Sequence, residues 1–387
     1  MPARTHRADR RRHHRIGVAF TMAPLILAAG CGNGGPGGGA AGTPTASATP
    51  VEASGSGEGF GRMSDVCGGT PITVGLADGY GANSWRKISR SEFEAEAKRC
   101  PAIKKVIYTD AQGSAQKAIS DVNTLVSQGA KAIVVLPDSG PAMIPAMRAA
   151  MRAGVKVVIT PGDLGGKAGQ DYVTAVYDSP EQNGRVWAEW MVEQLKGQGN
   201  VVFLGGTPGN PTSPREAAGI REVFARHPGM KLLAGPVDTN WDVARTQQVM
   251  AGLLTKFPKI DGIISDYGGS TIGAIRALQS AGRPLVPVAT NDFNQLSCLW
   301  KDQQEGKRFP LATVSSRPWI SRLALRQAVA AAHGKKNPEP AVIKLSLFED
   351  STSTDQKLRV RCDTGLPPDA ILSSTLTSAE MATLFGK

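Results

Sequence analysis

The sequence predicts an α/β protein built as two Rossmann-like lobes with parallel sheets. Three observations predict it. Short β-rich runs alternate with helical ones from about residue 67 onward, the rhythm of strands wound by helices. Three helix-to-strand junctions share one pattern, a glycine followed within a few residues by a buried apolar run, at Gly129, Gly154 and Gly282. Finally, 72–177 and 200–317 look like two similar halves, with more strands than one compact sheet of this helix length holds.

The elements follow in order. Ile72 to Leu76 reads as a first strand and Trp85 to Arg99 as its helix. Val106 to Tyr108 leads to a helix with Ile119, Val122, Leu125 and Val126 at helical spacing, closed by Gly129. Ala130 to Leu136 and Val155 to Ile159 are doubly buried strands, stopped by Pro137 and Pro161. Glycine suits each junction because it accepts the left-handed conformation that ends a helix. Further strands are expected at Val201–Leu204, Leu232–Leu233, Gly262–Ile264, Leu285–Val288 and Ala341–Leu347. Pro287 inside one of them is a local conflict, tolerable at an edge. Trp187 and Trp190 share a helix face with Val186 and Met191 and read as core.

Ahead of this body lies a different kind of sequence. Residues 1–15 hold six arginines and one aspartate, a net +5 of the chain's +11, so the remainder is too weakly basic for a nucleic-acid protein. Ile16 to Ala29 is an apolar run, and Ala28, Ala29 and Gly30 meet Cys31: a signal peptide over 1–30, with lipidation expected at Cys31. Fourteen residues at about 1.5 Å each fall short of a ~30 Å hydrocarbon core, so a retained membrane helix is not expected. Residues 31–66 are mostly Gly, Ala, Ser, Thr and Pro and read as a disordered tether. Of five histidines only His227 and His333 lie past the leader, which disfavours a multi-histidine metal site and most histidine acid–base schemes.

The loops after the strands carry the chemistry, at the edge where open parallel sheets bind ligands. The first holds Asp78, Asn83 and Trp85, another Asp163, and another Arg215. Trp241 follows Asn240, Asp266 and Tyr267 follow Ile264, and Asn291 and Asp292 close the series. Carboxylates and amides grip adjacent hydroxyls, arginine donates a fork, and an indole face covers the C–H side of a sugar ring. Four or five charge-assisted hydrogen bonds at roughly 1.5–3 kcal/mol each supply the ~8 kcal/mol of micromolar affinity. An Asn or Asp after a strand is as often a helix cap, as Asp242 and Asp292 would be for the helices beyond them.

Four stretches then carry a resemblance: Asn83 to Arg86, Ala132 to Pro137, Gly273 to Gly282, and Asn291 with Asp292. With them, residues 72–347 resemble the ribose-binding type of periplasmic substrate-binding protein, type I, the receptor of a sugar ABC importer. The resemblance implies that Asn83 and Trp85 match the family's first-loop amide and aromatic wall. It implies a cleft carboxylate at Asp163 and a cleft arginine near Arg215. Trp241 takes the second aromatic wall, Asp266 or Tyr267 the hinge-side amide, Asp292 the second carboxylate, and Ser316 the place of a Gln. The departures point away from ribose itself. They leave a nucleoside, a polyol or a signalling furanone as alternative ligands in the same fold. Implied partners are a small sugar-like ligand, an ABC permease and the membrane through the lipid anchor, on the extracytoplasmic face. A monomer is expected, with no nucleic acid, no cofactor and no metal. The implied lobes are 67–177 plus 317–345 and 178–316 plus 346–365, crossing near 177, 317 and 346, with a tail over 366–387.

Apart from Cys31, the cysteines are Cys67, Cys100, Cys298 and Cys362, an even number suited to an exported protein and open to three pairings. Cys67 and Cys100 each precede one of two adjacent strands, which favours Cys67–Cys100 and Cys298–Cys362. An exported α/β hydrolase is the remote alternative. Ser114 and Lys117 match Ser-x-x-Lys, but no Lys-Thr-Gly follows, Gly-x-Ser-x-Gly is absent, and 162–167 falls short of a phosphate loop.

Overall fold

The computed structural model describes residues 51–53, 60–81, 83–162 and 164–386. The leader, Cys31, much of the expected tether, and Asp163 lie outside them. The chain divides into units 1–46 and 47–387, and every described residue belongs to the second. A short strand β1 (Val51–Ala53) and a helical turn α1 (Met63–Val66) come first.

The first sheet is built from β2 (Ile72–Asp78), α2 (Ser84–Ala97), β3 (Ile103–Asp110), α3 (Ala115–Ser127), β4 (Ala130–Leu136), α4 (Ile144–Arg152), β5 (Lys156–Ile159) and β6 (Thr174–Ala175). Its strand order is β3-β2-β4-β5-β6, with every pairing parallel. Alternation along β4 shows why both faces are covered. Ala132, Val134 and Leu136 enter a core with Phe93 and Leu325, whereas Ile133 and Val135 enter one with Val122, Leu125 and Met147. Gly129, Gly154 and Gly282 all take positive φ, as the repeated junction requires.

After β7 (Tyr177–Asp178) the chain passes to a second sheet. It comprises α5 (Pro180–Gln194), β8 (Gln198–Gly205), α6 (Thr212–Ala225), β9 (Gly229–Asp238), α7 (Val243–Lys256), β10 (Gly262–Ser265), α8 (Gly268–Ser280), β11 (Val288–Asn291), α9 (Asn294–Lys301) and β12 (Leu311–Val314). Helix α10 (Ile320–Ala332) returns to pack on β4, β5 and α2, and β13 (Val342–Leu345) pairs with β7. Strand β14 (Leu347–Asp350) then joins the second sheet antiparallel to β12, giving the order β14-β12-β11-β10-β8-β9. The chain therefore passes between the sheets at 178–180, 314–320 and 345–347.

Three expectations differ. The end of the expected tether is folded, since α1 buries Met63 and Val66 in the first sheet's core. The single strand over Ala341–Leu347 is two, because the chain changes sheet at Ser346. Pro287 lies outside its strand, since β11 starts at Val288. Trp187 and Trp190 are buried with Phe203 and Ile220, as their helix face implies. The disulfides are Cys67–Cys100 and Cys298–Cys362, with Cα atoms 5.5 and 4.6 Å apart. Past α10, the last helix α11 (Ser378–Leu384) docks on α2, and Ala370, Ile371 and Met381 are buried against the second sheet's core. No helix among the described residues is long and apolar enough to cross a membrane.

Candidate functional site

The carboxyl ends of both sheets face a cavity of about 700 Å³, a figure that counts the open solvent at its mouth. From the first sheet, Asn83 stands at the start of α2, where its side chain caps the helix by accepting from the Arg86 amide at 3.0 Å. Capping and lining coexist here. Trp85, one residue on, donates Nε1 to the Ser316 carbonyl at 2.6 Å, which fixes its indole at the cavity wall. Arg86 turns inward: its Nη2 grips both Asp138 oxygens at 2.7 and 2.8 Å, and its Nη1 reaches Asp78 at 3.4 Å. Burial works against the Arg86 charge, but Asp138 and Asp78 outweigh it and raise its pKa. Burial likewise pushes the Asp138 carboxyl up, against the pull of Arg86.

The second sheet supplies Asn210, Glu216, Trp241, Asp266, Tyr267 and Asn291. Asn240 and Trp241 both take positive φ just before α7, which Asp242 caps. That turn lays the Trp241 ring over Gly206, where any Cβ would collide with it. Its Nε1 donates to Asp266 Oδ1 at 3.0 Å, and Ser213 Oγ donates to Oδ2 at 2.6 Å. Burial still holds the Asp266 carboxyl up at about 6. Asn291 Nδ2 donates to the Asp266 carbonyl at 2.8 Å, while its buried Oδ1 has no partner among the described residues. Glu216 is 1% exposed and its Oε2 likewise lacks a partner.

Two contacts join the walls. Asn210 Nδ2 donates to Asp138 Oδ1 at 3.2 Å, and the hydroxyls of Ser84 and Tyr267 lie 3.0 Å apart. Arg317, between β12 and α10, closes the floor, with its Nε donating to Asp178 at 2.6 Å.

Of the residues the sequence singles out, Asn83, Trp85, Trp241, Asp266, Tyr267 and Asn291 line this cavity. Four others do not. Asp78 is buried behind it, holding Arg86 and the Tyr108 hydroxyl. Arg215 points away, its guanidinium on Glu181 at 2.7 Å. Asp292 is fully buried and caps no helix: it accepts from the backbone of Ser316 and from the Ser373 amide and hydroxyl. Ser316 returns its hydroxyl to the Asp292 carbonyl at 2.7 Å. Asp163 lies outside the described residues. Arg86, Asp138, Asn210, Glu216 and Arg317 line the cavity without having been singled out as ligands. Arg86 closes the stretch Asn83 to Arg86, Glu216 follows Arg215 and Arg317 follows Ser316, so these three stand beside residues the sequence singles out. Among the described residues no group of three or more His, Cys, Asp and Glu is placed to hold a metal. The arrangement offers hydrogen-bond acceptors, a few donors and two indole walls, the means to hold a small polar molecule.

Comparison with known proteins gives the same picture. The periplasmic binding protein domain family matches residues 74–336. The xylitol-binding protein of Mycolicibacterium smegmatis is 29% identical over 194 residues, 48% of this chain, and the match spans only 53% of that protein. The ribose import binding protein of Bacillus subtilis is 27% identical over 267 residues, 68% of this chain and 83% of that one. A myo-inositol binding protein from Caulobacter, solved with myo-inositol, superposes with a TM-score of 0.64 at 25% identity, covering 73% of this chain and 94% of that one. An ABC transporter solute binding protein from Thermobispora bispora gives 0.66 at 24%, covering 81% and 96%.

Proposed function

The chain belongs to the periplasmic binding protein domain family, and from that premise we propose that it is an extracytoplasmic receptor. It captures a small polyhydroxylated molecule between its two sheets and hands it to the permease of an ABC importer. One observation carries this reading. Amide, carboxyl and indole side chains from separate βα turns of both sheets line one cavity, and two buried oxygens of its lining residues, Glu216 Oε2 and Asn291 Oδ1, have no hydrogen-bond partner among the described residues. A buried polar atom without a partner costs about 1–3 kcal/mol, and ligand hydroxyl groups are the natural donors to remove that cost. Relatives named for xylitol and ribose binding support the ligand class.

In this reading the lobes are 67–177 plus 317–345 and 178–316 plus 346–365. The three passages between sheets act as the hinge, and ligand contacts to both walls shift the open–closed balance. Lipidation at Cys31 tethers a monomer to the membrane. Thermal unfolding with pentoses, hexoses, pentitols, inositols and their amino derivatives tests the proposal. A ligand at a hundred times its dissociation constant adds about 2.7 kcal/mol of stability. Absence of any stabilisation across the panel at millimolar concentration overturns it.

A further inference from the structure

Glu216 is the oddest residue of the cavity. It sits in the first turn and a half of α6, 1% exposed, and is one of the residues lining the space; its buried Oε2 has no hydrogen-bond partner among the described residues. A buried carboxyl is normally paired or removed, because its charge is costly to desolvate. An amide of the same shape would serve a ligand hydroxyl equally well at lower cost. Retaining a carboxyl makes physical sense where a charge arrives to meet it.

From these surroundings we infer that the ligand carries a basic nitrogen on its polyhydroxylated frame, as in an amino sugar or amino polyol, and that Glu216 receives the ammonium group. The inference rests on the receptor reading and narrows its ligand class.

The charges support it. The groups facing Glu216 are the carboxyls of Asp266, Asp178 and Glu181 and the guanidinium of Arg317. Arg317 is engaged by Asp178, and Glu181 is held by Arg215. Across the cavity, Arg86 is committed to Asp138 and Asp78. Both cations of the lining are thus hydrogen-bonded to other carboxyls, Arg317 acts on Glu216 and Asp266 only through space, and acidic side chains outnumber basic ones in the lining. An anionic ligand is repelled there, and a neutral one leaves the excess in place. A cation offsets it. The walls add to this, since Trp85 and Trp241 present indoles, whose faces attract cations by roughly 0.5–2 kcal/mol.

Protonation gives the inference a signature of its own. Burial and the neighbouring carboxyls raise the Glu216 carboxyl above its ordinary value, which favours its protonated form. An ammonium group entering beside it favours the carboxylate, so binding shifts the balance toward release of a proton to the buffer.

The test uses the full chain and matched pairs: glucosamine against glucose, galactosamine against galactose, and glucamine against sorbitol, each by isothermal titration at pH 7.5. The expected result is at least tenfold tighter binding of the amino member of one pair. Proton release should appear when titration is repeated in two buffers of different ionisation enthalpy. Glu216→Gln should bring the two members of that pair within about twofold, mainly by weakening the amino member. Neutral members binding as tightly as amino ones overturns the inference and leaves the receptor reading standing; a preference surviving in the Gln variant does the same. Should that variant fail to fold, proton release in the natural protein decides, and its absence overturns the inference. If neither member of any pair binds, this inference falls, and the receptor reading is decided separately by the wider panel of pentoses, pentitols and inositols.

Discussion

Trp241 shows at the residue scale how the cavity wall is made. Its ring occupies the space above Gly206, its nitrogen is tied to Asp266, and it sits in a left-handed turn that non-glycine residues seldom adopt. Trp241→Ala removes the wall and leaves Asp266 without one of its two side-chain donors. We expect the best ligand of the polyol panel to bind at least tenfold more weakly, about 1.4 kcal/mol or more. Arg215→Ala should change affinity less than about twofold, because its guanidinium faces Glu181. Titration calorimetry on both variants checks the pair, and equal losses would contradict it. The contrast also explains what the sequence concealed. Arg215 and Glu216 are neighbours on a helix of 3.6 residues per turn, so their side chains diverge by about 100°. A reading guided by chemistry chose the arginine, and the rotation of α6 gave the cavity to the glutamate. Asp292 failed differently. Its position after a strand is right for a ligand residue, but Ser373 lies 81 residues downstream and claims it, a partner no local pattern reveals.

Among the elements, the carboxyl-terminal segment was the least legible. Its contacts are remote: Ser374 and Thr375 donate to Glu92, which is buried on α2 more than 280 residues earlier. At the same time Asn294 holds the carbonyls of Asp363 and Pro367, and Ile371 is buried in the second sheet's core. One stretch of chain thus grips an element of each sheet, and the Cys298–Cys362 bridge anchors its start. Strands and helices with regular periods could be read from their own residues, as β4 and α3 were. A segment held by scattered side-chain contacts could not. Replacing both cysteines by serine opens a loop of 64 residues, for which chain entropy gives a loss of up to about 4 kcal/mol. The double variant should unfold at lower denaturant and show faster amide exchange over 363–376. Unchanged protection there would show that the side-chain contacts alone hold the segment.

For the whole molecule, the chain is net basic while its interior holds carboxyls raised by burial, and these make opposite demands on pH. Asp266 is shifted from 3.8 to about 6, and Glu349, on β14, from 4.5 to about 7. Asp138, Asp292 and Glu216 move the same way. A carboxyl whose folded pKa exceeds its unfolded value binds protons more tightly in the native state, so stability falls as pH rises between the two values. At about 1.4 kcal/mol per unit, Asp266 and Glu349 each cost about 3 kcal/mol once pH passes their folded pKa. Acidification also raises the net positive charge and its self-repulsion, but at 0.15 M salt exposed charges are screened within about 8 Å. The carboxyls held low by arginines, buried Asp171 and exposed Glu222, lose their contribution only below about pH 4. The ligand-free protein should therefore be most stable near pH 5. Its urea midpoint there should exceed that at pH 7.5 by about 1 M or more, taking roughly 3 kcal/mol/M for a chain of this size. A midpoint that is flat or rises toward pH 7.5 would mean that these interior carboxyls are ionised and compensated. If the ligand brings a cation, saturating it should narrow the difference, because the charge it carries stabilises the ionised forms of Glu216 and Asp266.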